Sequence, residues 1–338
     1  MIEVEYHDDL KEVQGDAALA ALLASPCAAA PFDRLEWWRL IAEECGLAPL
    51  IAIARAGDCR AVLPLTRNGR RVEGLANWYS FRLKPLCNQP DRAPELLAAL
   101  ASDLAGEAPR ISLRGVPDEQ GEASMFEAAF PGAGWVVMRE SCDTNHYLET
   151  GGRSFAEYLA TRPGQLRTTL KRRRGRVETV VETNFSAESW ALYEGVYARS
   201  WKPAEGSPAF LRRFAEAEGA AGRLRLGIAR LGGEAIAAQF WTVENNTAFI
   251  HKLAHTDDSR PLSPGTVLSA ALLEHVIDRD RVTLVDFGTG DDGYKRDWME
   301  QQRPRYQLDL LRPCWPGNWP AIGKGMGRRL LARSGMPR

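Results

Sequence analysis

The chain has 338 residues, with 43 Lys and Arg against 44 Asp and Glu, and 45 % of it is apolar. That length suits about two domains of roughly 150 residues each, and the apolar share supports a sizeable core and excludes wholesale disorder. A formal charge of -1 removes bulk charge as a reason to bind nucleic acid or an anionic membrane. No apolar run approaches the ~18–20 residues needed to span a bilayer. The start of the chain, Met1 to Asp9, is acidic and lacks a signal peptide's basic segment. The expectation is a soluble, cytoplasmic protein. Six cysteines are scattered without CxxC spacing, so reduced thiols are expected. His251 and His255 lie in an alternating stretch that puts them on one strand face about 13 Å apart, too far to share a metal.

In the first half, Leu35–Cys45 reads as a helix. Leu50–Arg55 and Arg60–Leu65 read as a hairpin around Gly57-Asp58, and Arg71–Cys87 as strand-rich and aromatic. A helix at Ala93–Leu104, a strand at Arg110–Leu113, a short helix at Glu119–Phe130 and a strand at Gly134–Ser141 follow. The join falls near Thr150-Gly151-Gly152. The second half is cleaner. Arg176–Glu182 is a strand, Ala187–Trp201 a helix with Ser186 as N-cap, and Pro208–Gly219 a short helix. Three strands follow, Arg223–Arg230, Glu234–Val243 and Thr247–Thr256, joined by Leu231-Gly232-Gly233 and by Asn245-Asn246. A polar loop leads into a helix at Thr266–Asp278, a buried strand at Arg281–Phe287, a short helix at Tyr294–Glu300 and a strand at Gln302–Leu311. Consecutive strands on tight turns call for an antiparallel meander, and the strand–helix–strand after them for a parallel crossover. The fold class is therefore α/β, a mixed central sheet flanked by helices. The first half repeats part of this order at an offset of roughly 170 residues, which suggests two copies of one unit. The expected division is 1–150, 151–315 and a basic tail, 316–338.

Three segments carry candidate chemistry. Ser263-Pro264-Gly265-Thr266 opens a helix after a strand, where free N–H groups and the helix dipole suit a phosphate, with Arg260 adding a charge; ordinary helix capping is the alternative. Asp286-Phe-Gly-Thr-Gly-Asp291-Asp292-Gly-Tyr294-Lys295 places an acid at the end of a buried strand, then glycines and acids, then a helix. Ligands of open α/β sheets bind beyond the carboxyl ends of strands. The alternative is a flexible turn with solvated acids. Arg162–Arg176 holds seven cations and no acid, which suits phosphates, tRNA or an anionic glycan, or else a solvated helix face. Lys202 reads either as an anion ligand or as a cation closing the preceding helix against its dipole.

The stretch AAQFWTVENNTAFIHKLAHTDDSRPLSPGTVL, followed by VDFGTGDDGYKRDW, resembles the CelD-like and Fem-related acyltransferases of the GNAT superfamily, which are built from two tandem GNAT-like copies. The resemblance lies within roughly residues 150–312; the first half matches only in element order, as a degenerate copy. It implies acyl transfer from acetyl-CoA or another acyl-CoA to an amine, by direct attack within a ternary complex and without a metal. It also implies that Thr247–Thr256, with Lys252, binds the acyl-pantetheine arm, and that Arg260, Ser263, Pro264, Gly265 and Thr266 hold the pyrophosphate. Only Gly265 and Arg260 remain of the usual pyrophosphate loop. Tyr294 is placed to protonate the leaving thiolate. Asp286, Asp291 and His251 are candidates for relieving the attacking amine of its proton, and Lys295 for binding acceptor or phosphate.

The expected acceptor is a small molecule or glycan precursor, such as an amino sugar or a cell-envelope or exopolysaccharide precursor. Two other functions remain open: a Fem-type transferase using aminoacyl-tRNA, and a non-enzymatic polyanion- or nucleic-acid-binding protein acting through Arg162–Arg176. That segment lacks the interleaved aromatics of a single-strand platform.

Overall fold

The structure, a computed structural model, describes residues 1–25 and 27–333. In chain order it forms β1 (Glu3–His7), α1 (Leu10–Gly15), α2 (Ala17–Leu23), α3 (Leu35–Cys45), β2 (Pro49–Ala56), β3 (Cys59–Asn68), β4 (Arg71–Gly74), β5 (Leu86–Cys87), α4 (Ala93–Glu107), β6 (Arg110–Val116), α5 (Glu122–Ala129) and the long strand β7 (Val136–Glu149). It continues with α6 (Phe155–Ala160), α7 (Gly164–Arg173), β8 (Glu178–Glu182), α8 (Ala187–Ala198), α9 (Pro208–Ala220), β9 (Leu224–Leu231), β10 (Glu234–Glu244) and β11 (Thr247–His255). It ends with α10 (Pro264–Glu274), β12 (Leu284–Thr289), α11 (Gly293–Trp298), β13 (Gln301–Leu311) and α12 (Trp319–Arg333). Among the described residues no helix is long and apolar enough to cross a membrane, and all six cysteines are free.

Two compact units emerge, Met1–Asp143 with Pro304–Arg338, and Thr144–Arg303. Each is a mixed sheet with flanking helices, as the fold class requires. In the first unit the strands run β1-β2-β3-β4-β6-β13. Pairs are antiparallel from β1 to β4, parallel for β4 with β6, and antiparallel for β6 with β13. In the second unit the order is β8-β9-β10-β11-β12-β7, with the same sequence of senses. The two copies are therefore topologically alike, strand for strand.

One difference from the expected division has a clear cause. The last strand of each sheet comes from the segment that follows the other copy. Residues 145–149 of β7 pair with β12 in the second unit, and residues 306–311 of β13 pair with β6 in the first. The compact units therefore divide at 143/144 and 303/304, not at 150/151 and 315/316. The expected tail is partly the helix α12, anchored in the first unit by Asn318, whose Nδ2 donates to the Pro109 carbonyl at 2.7 Å. Its last five residues lie outside the described ones.

The second unit positions the chemistry. Its core joins Leu268, Leu272 and Val276 behind the sheet with Trp241, Ile250 and Val285 from it. Asn245 and Asn246 take positive φ (45° and 57°), as the expected two-residue hairpin turn demands. Adjacent residues of β10 face opposite sides. Gln239 donates to the Gly265 carbonyl and to Ser269 of α10. Phe240 packs edge-on against Trp190 of α8 and Phe214 of α9, at 5.4 and 5.5 Å between centroids. Helix α9 meets the β8–α8 connection so closely that a Cβ on Gly219 falls 2.7 Å from the Phe185 backbone nitrogen and 2.5 Å from its Cβ. Gly219→Ala is expected to destabilise the protein by about 1–3 kcal/mol, as overpacking does. Urea unfolding measures this; an unchanged midpoint counts against the packing.

Candidate active site

Strand β11 determines the site. Its ladder with β10 pairs Trp241 with Ile250 and Phe240 with Lys252, leaving His251 as an extra residue. Such a bulge re-aims side chains and interrupts the alternation. His251 and Lys252 consequently both reach the α8/α9 side, where His251 meets Phe240 and Phe214 and Lys252 meets Glu205 at 2.9 Å. His255 lies on the other side, its Cδ2 3.4 Å from the position of a Cβ on Gly265 in α10. The expectation that His251 and His255 share a face fails because of the bulge. Among the described residues no group of three or more His, Cys, Asp or Glu is arranged to hold a metal.

On its other edge β11 pairs in parallel with β12 at only three positions, Thr247–Leu284, Ala248–Val285 and Phe249–Asp286. Beyond them the ladder stops, although β11 continues to His255 and β12 to Thr289. The strands part where the sequence places its candidate residues.

Asp286 sits at that fork and is buried. Its Oδ1 accepts from Asn145 Nδ2 at 2.7 Å and from the Gly288 N–H at 2.8 Å, and its Oδ2 pairs with Arg303 at 3.0 Å. Arg303 also donates to Asn145 Oδ1 at 2.6 Å. Both carboxylate oxygens are engaged, so Asp286 fastens the loop instead of facing an acceptor. Gly288 and Gly290, at φ 67° and 96°, turn that loop in a region other residues rarely adopt. Asp291 accepts from buried His146 at 2.9 Å and from Arg296 at 2.5 Å, and these bonds, Arg296 first, hold its carboxyl below the ordinary range. It is a poor base for that reason. Lys295 is buried and its ammonium donates to the Thr289 carbonyl, which braces the loop from inside.

Tyr294 is 43 % exposed as a residue, with its ring edge-on to Phe287. Desolvation of its hydroxyl, and then Asp292 nearby, push its pKa up to about 12, so it keeps its proton at neutral pH. His251 shares a hydrogen bond between its Nε2 and the Thr242 hydroxyl at 2.8 Å, within a cage of Phe214, Phe240 and Phe249.

At the start of α10, Ser263 takes a left-handed conformation (φ 51°) and makes no side-chain capping bond. The reading of Ser263 as an ordinary cap is thereby corrected; its own N–H donates to the Arg260 carbonyl and Pro264 has none, so the N–H groups of Gly265 and Thr266 are the ones left for another partner at the start of this 11-residue helix. Arg260 is exposed beside it. Lys252, grouped with these residues by the sequence, points to the other side of the sheet.

On that side α8 and α9 frame a cleft of about 440 Å³ lined by Trp190, Tyr193, Tyr197, Lys202, Glu205 and Leu211 among others. Helix α8 ends at Ala198, not Trp201, so Lys202 does not cap it; it stands in the loop before Pro203. Burial first, then the Lys252 ammonium, pull Lys202 down to about 8. The Trp201 ring contacts that of His255 at 4.4 Å between centroids, tilted by 41°. Within the basic segment, Arg162 pairs with Glu300 and Arg174 with Glu274, while Lys171 and Arg172 are exposed.

Residues 144–296 match the model of the acetyltransferase (GNAT) domain. That segment is a GNAT domain. Among solved structures, FemX aligns at 11 % identity with a TM-score of 0.62, over 91 % of this chain and 97 % of that one. L-PGS from Bacillus licheniformis aligns at 13 % identity and 0.54, over 88 % and 96 %. A tandem GNAT protein from the clavulanic acid biosynthesis pathway aligns at 14 % identity and 0.51, over 90 % and 98 %. At these identities the likeness concerns the fold, and it confirms the tandem GNAT arrangement expected from the Fem-related resemblance. No curated protein matches the chain.

Sequence reasoning missed Asn145, His146, Arg303 and Glu205 in the second unit. The first three lie in strands that enter from distant segments, and no local pattern marks them. Glu205 gave a weak signal, an acid three residues after Lys202 in a Pro-rich loop. Asp286→Asn leaves the Arg303 guanidinium without its carboxylate. Breaking a buried pair costs about 3–5 kcal/mol, and loss of that order is expected in denaturant unfolding of the GNAT domain. Unchanged stability contradicts the fastening role.

Proposed function

We propose that the protein transfers an acyl group from an acyl-CoA thioester to an amine acceptor, by direct attack within the second unit. The parting of β11 and β12 beyond the Phe249–Asp286 pair carries this reading. A fork between parallel strands admits a linear, amide-bearing arm between them, and a pantetheine chain is such an arm. The α10 N-terminus, with Ser263, Pro264, Gly265 and Thr266 and the nearby Arg260, would hold the pyrophosphate through its uncapped N–H groups. The bound thioester supplies the activated carbonyl.

The chain's residues take the remaining tasks. The α8/α9 cleft receives the acceptor. Backbone N–H groups of β11 stabilise the oxyanion. Tyr294, protonated at neutral pH, donates to the departing sulfur. His251, whose Nε2 shares a hydrogen bond with the Thr242 hydroxyl, is the expected proton acceptor, and it relieves the amine directly or through water. Asp286, Asp291 and Lys295 hold the loop that presents Tyr294. An amino sugar or envelope precursor is the acceptor class this reading favours.

A second reading keeps the fold and replaces the donor by aminoacyl-tRNA, drawing on the exposed cations Lys171 and Arg172 of α7. Thermal unfolding with acetyl-CoA, CoA and tRNA separates the two. A ligand at 100 times its Kd adds about 2.7 kcal/mol. Stabilisation by both CoA forms is expected, and stabilisation by tRNA alone overturns the first reading. Tyr294→Phe is expected to lower acetyl-CoA turnover about 10²-fold with KM little changed; full turnover removes its role as acid.

A further inference from the structure

The α8/α9 cleft contains one charge that the protein leaves unused. Glu205 is paired with Lys252 at 2.9 Å, and Glu194 accepts from the Trp190 indole N–H at 2.9 Å. The ammonium of half-buried Lys202 makes no ion pair or hydrogen bond among the described residues. It lies 5.8 Å from the centroid of the Trp201 ring. Around it stand Lys252 of β11, Lys295 of α11 and the acids Glu205 and Asp292, with the Tyr197 hydroxyl, pushed up to about 12 and so neutral, on the α8 side. The acids near it do not contact it, and two of its neighbours are further ammonium groups. A side chain in this position gains from a bound anion what it lacks from the protein.

We propose that the acyl acceptor carries a negatively charged group, carboxylate or phosphate, which seats on Lys202 while its apolar or ring portion lies against Trp190, Tyr193 and Tyr197. This rests on the reading of the cleft as the acceptor site. It extends that reading from an amine of unstated kind to an amine on an anionic molecule, such as an amino acid or a phosphorylated sugar. Trp190 and Tyr193 contact each other at 4.5 Å between centroids, tilted by 31°, and give the cleft an aromatic wall for an apolar or ring portion.

The pH dependence follows with a definite sign. Only the protonated ammonium attracts the anion. With Lys202 held at about 8, the charged fraction is nearly complete at pH 7 and small at pH 9.5. Affinity is therefore retained below pH 8 and lost above it, by about 30-fold between those two values if only the charged form binds.

Isothermal titration of the full chain, without any CoA, tests the proposal with benzoate, phenyl phosphate and benzylamine. Binding of benzoate or phenyl phosphate at pH 7, weaker at pH 9.5, is expected, and the stronger of the two names the anion. Lys202→Met is expected to lower that affinity at least tenfold and Lys202→Arg to preserve it. Benzylamine binding in preference to both anions overturns the proposal, as does equal anion binding by Lys202→Met. Because no thioester is present, these outcomes are independent of whether acetyl-CoA stabilises the protein.

Discussion

The Asp286 carboxylate organises the second unit. One oxygen holds Asn145 of β7 and the Gly288 amide; the other holds Arg303 at the start of β13. A buried carboxylate is costly unless each lone pair is matched, and here a guanidinium, a carboxamide and a backbone N–H match it. Because the partners come from three segments, satisfying the charge also fixes the segments. Strand β12 is pinned at Phe249–Asp286, and the loop after it must turn at once through two positive-φ glycines. The fork between β11 and β12 opens at the level of this cluster.

Two departures from regular strand geometry then build the site. The bulge at His251 turns two consecutive side chains toward α8 and α9, while His255 returns to the side of α10. The fork opens the sheet beside them. One strand thus serves both faces, meeting Glu205 of the α8/α9 cleft through Lys252 and the uncapped helix start at Gly265 through His255. Buried Asp286 and Lys295 contribute rigidity, while Tyr294 is more accessible.

Much of the fold was legible because periodicity and turn chemistry are local. The meander of β9, β10 and β11, its Asn-Asn turn and the crossover through α10 followed from residues 223–287 alone. The bulge was not read: Phe249-Ile250 and His251-Lys252 are adjacent like pairs in an otherwise strand-like stretch, but only the ladder to β10 shows the extra residue. The burial of Asp286 and Lys295 was equally hidden. An acid and a lysine beside glycines suggest catalysis when the groups that engage the acid, Asn145 and Arg303, lie in other strands, and the lysine's partner is a backbone carbonyl, that of Thr289. Lys202 was visible but misplaced, because the apolar spacing of α8 runs on through Trp201 while the helix stops at Ala198.

The exchanged final strands have a consequence for how the chain reaches this state. The β6 edge of the first unit is made early but receives β13 only when residues 306–311 emerge, with Arg110 pairing to Leu311 about two hundred positions later. Throughout synthesis that edge stands open, and an open edge is a template for unwanted pairing. The GNAT domain has no such wait, because the β7 residues that pair with β12, 145–149, stand at its own start. Contacts of such separation slow folding. The two copies therefore mature together, and the first-made unit is completed last.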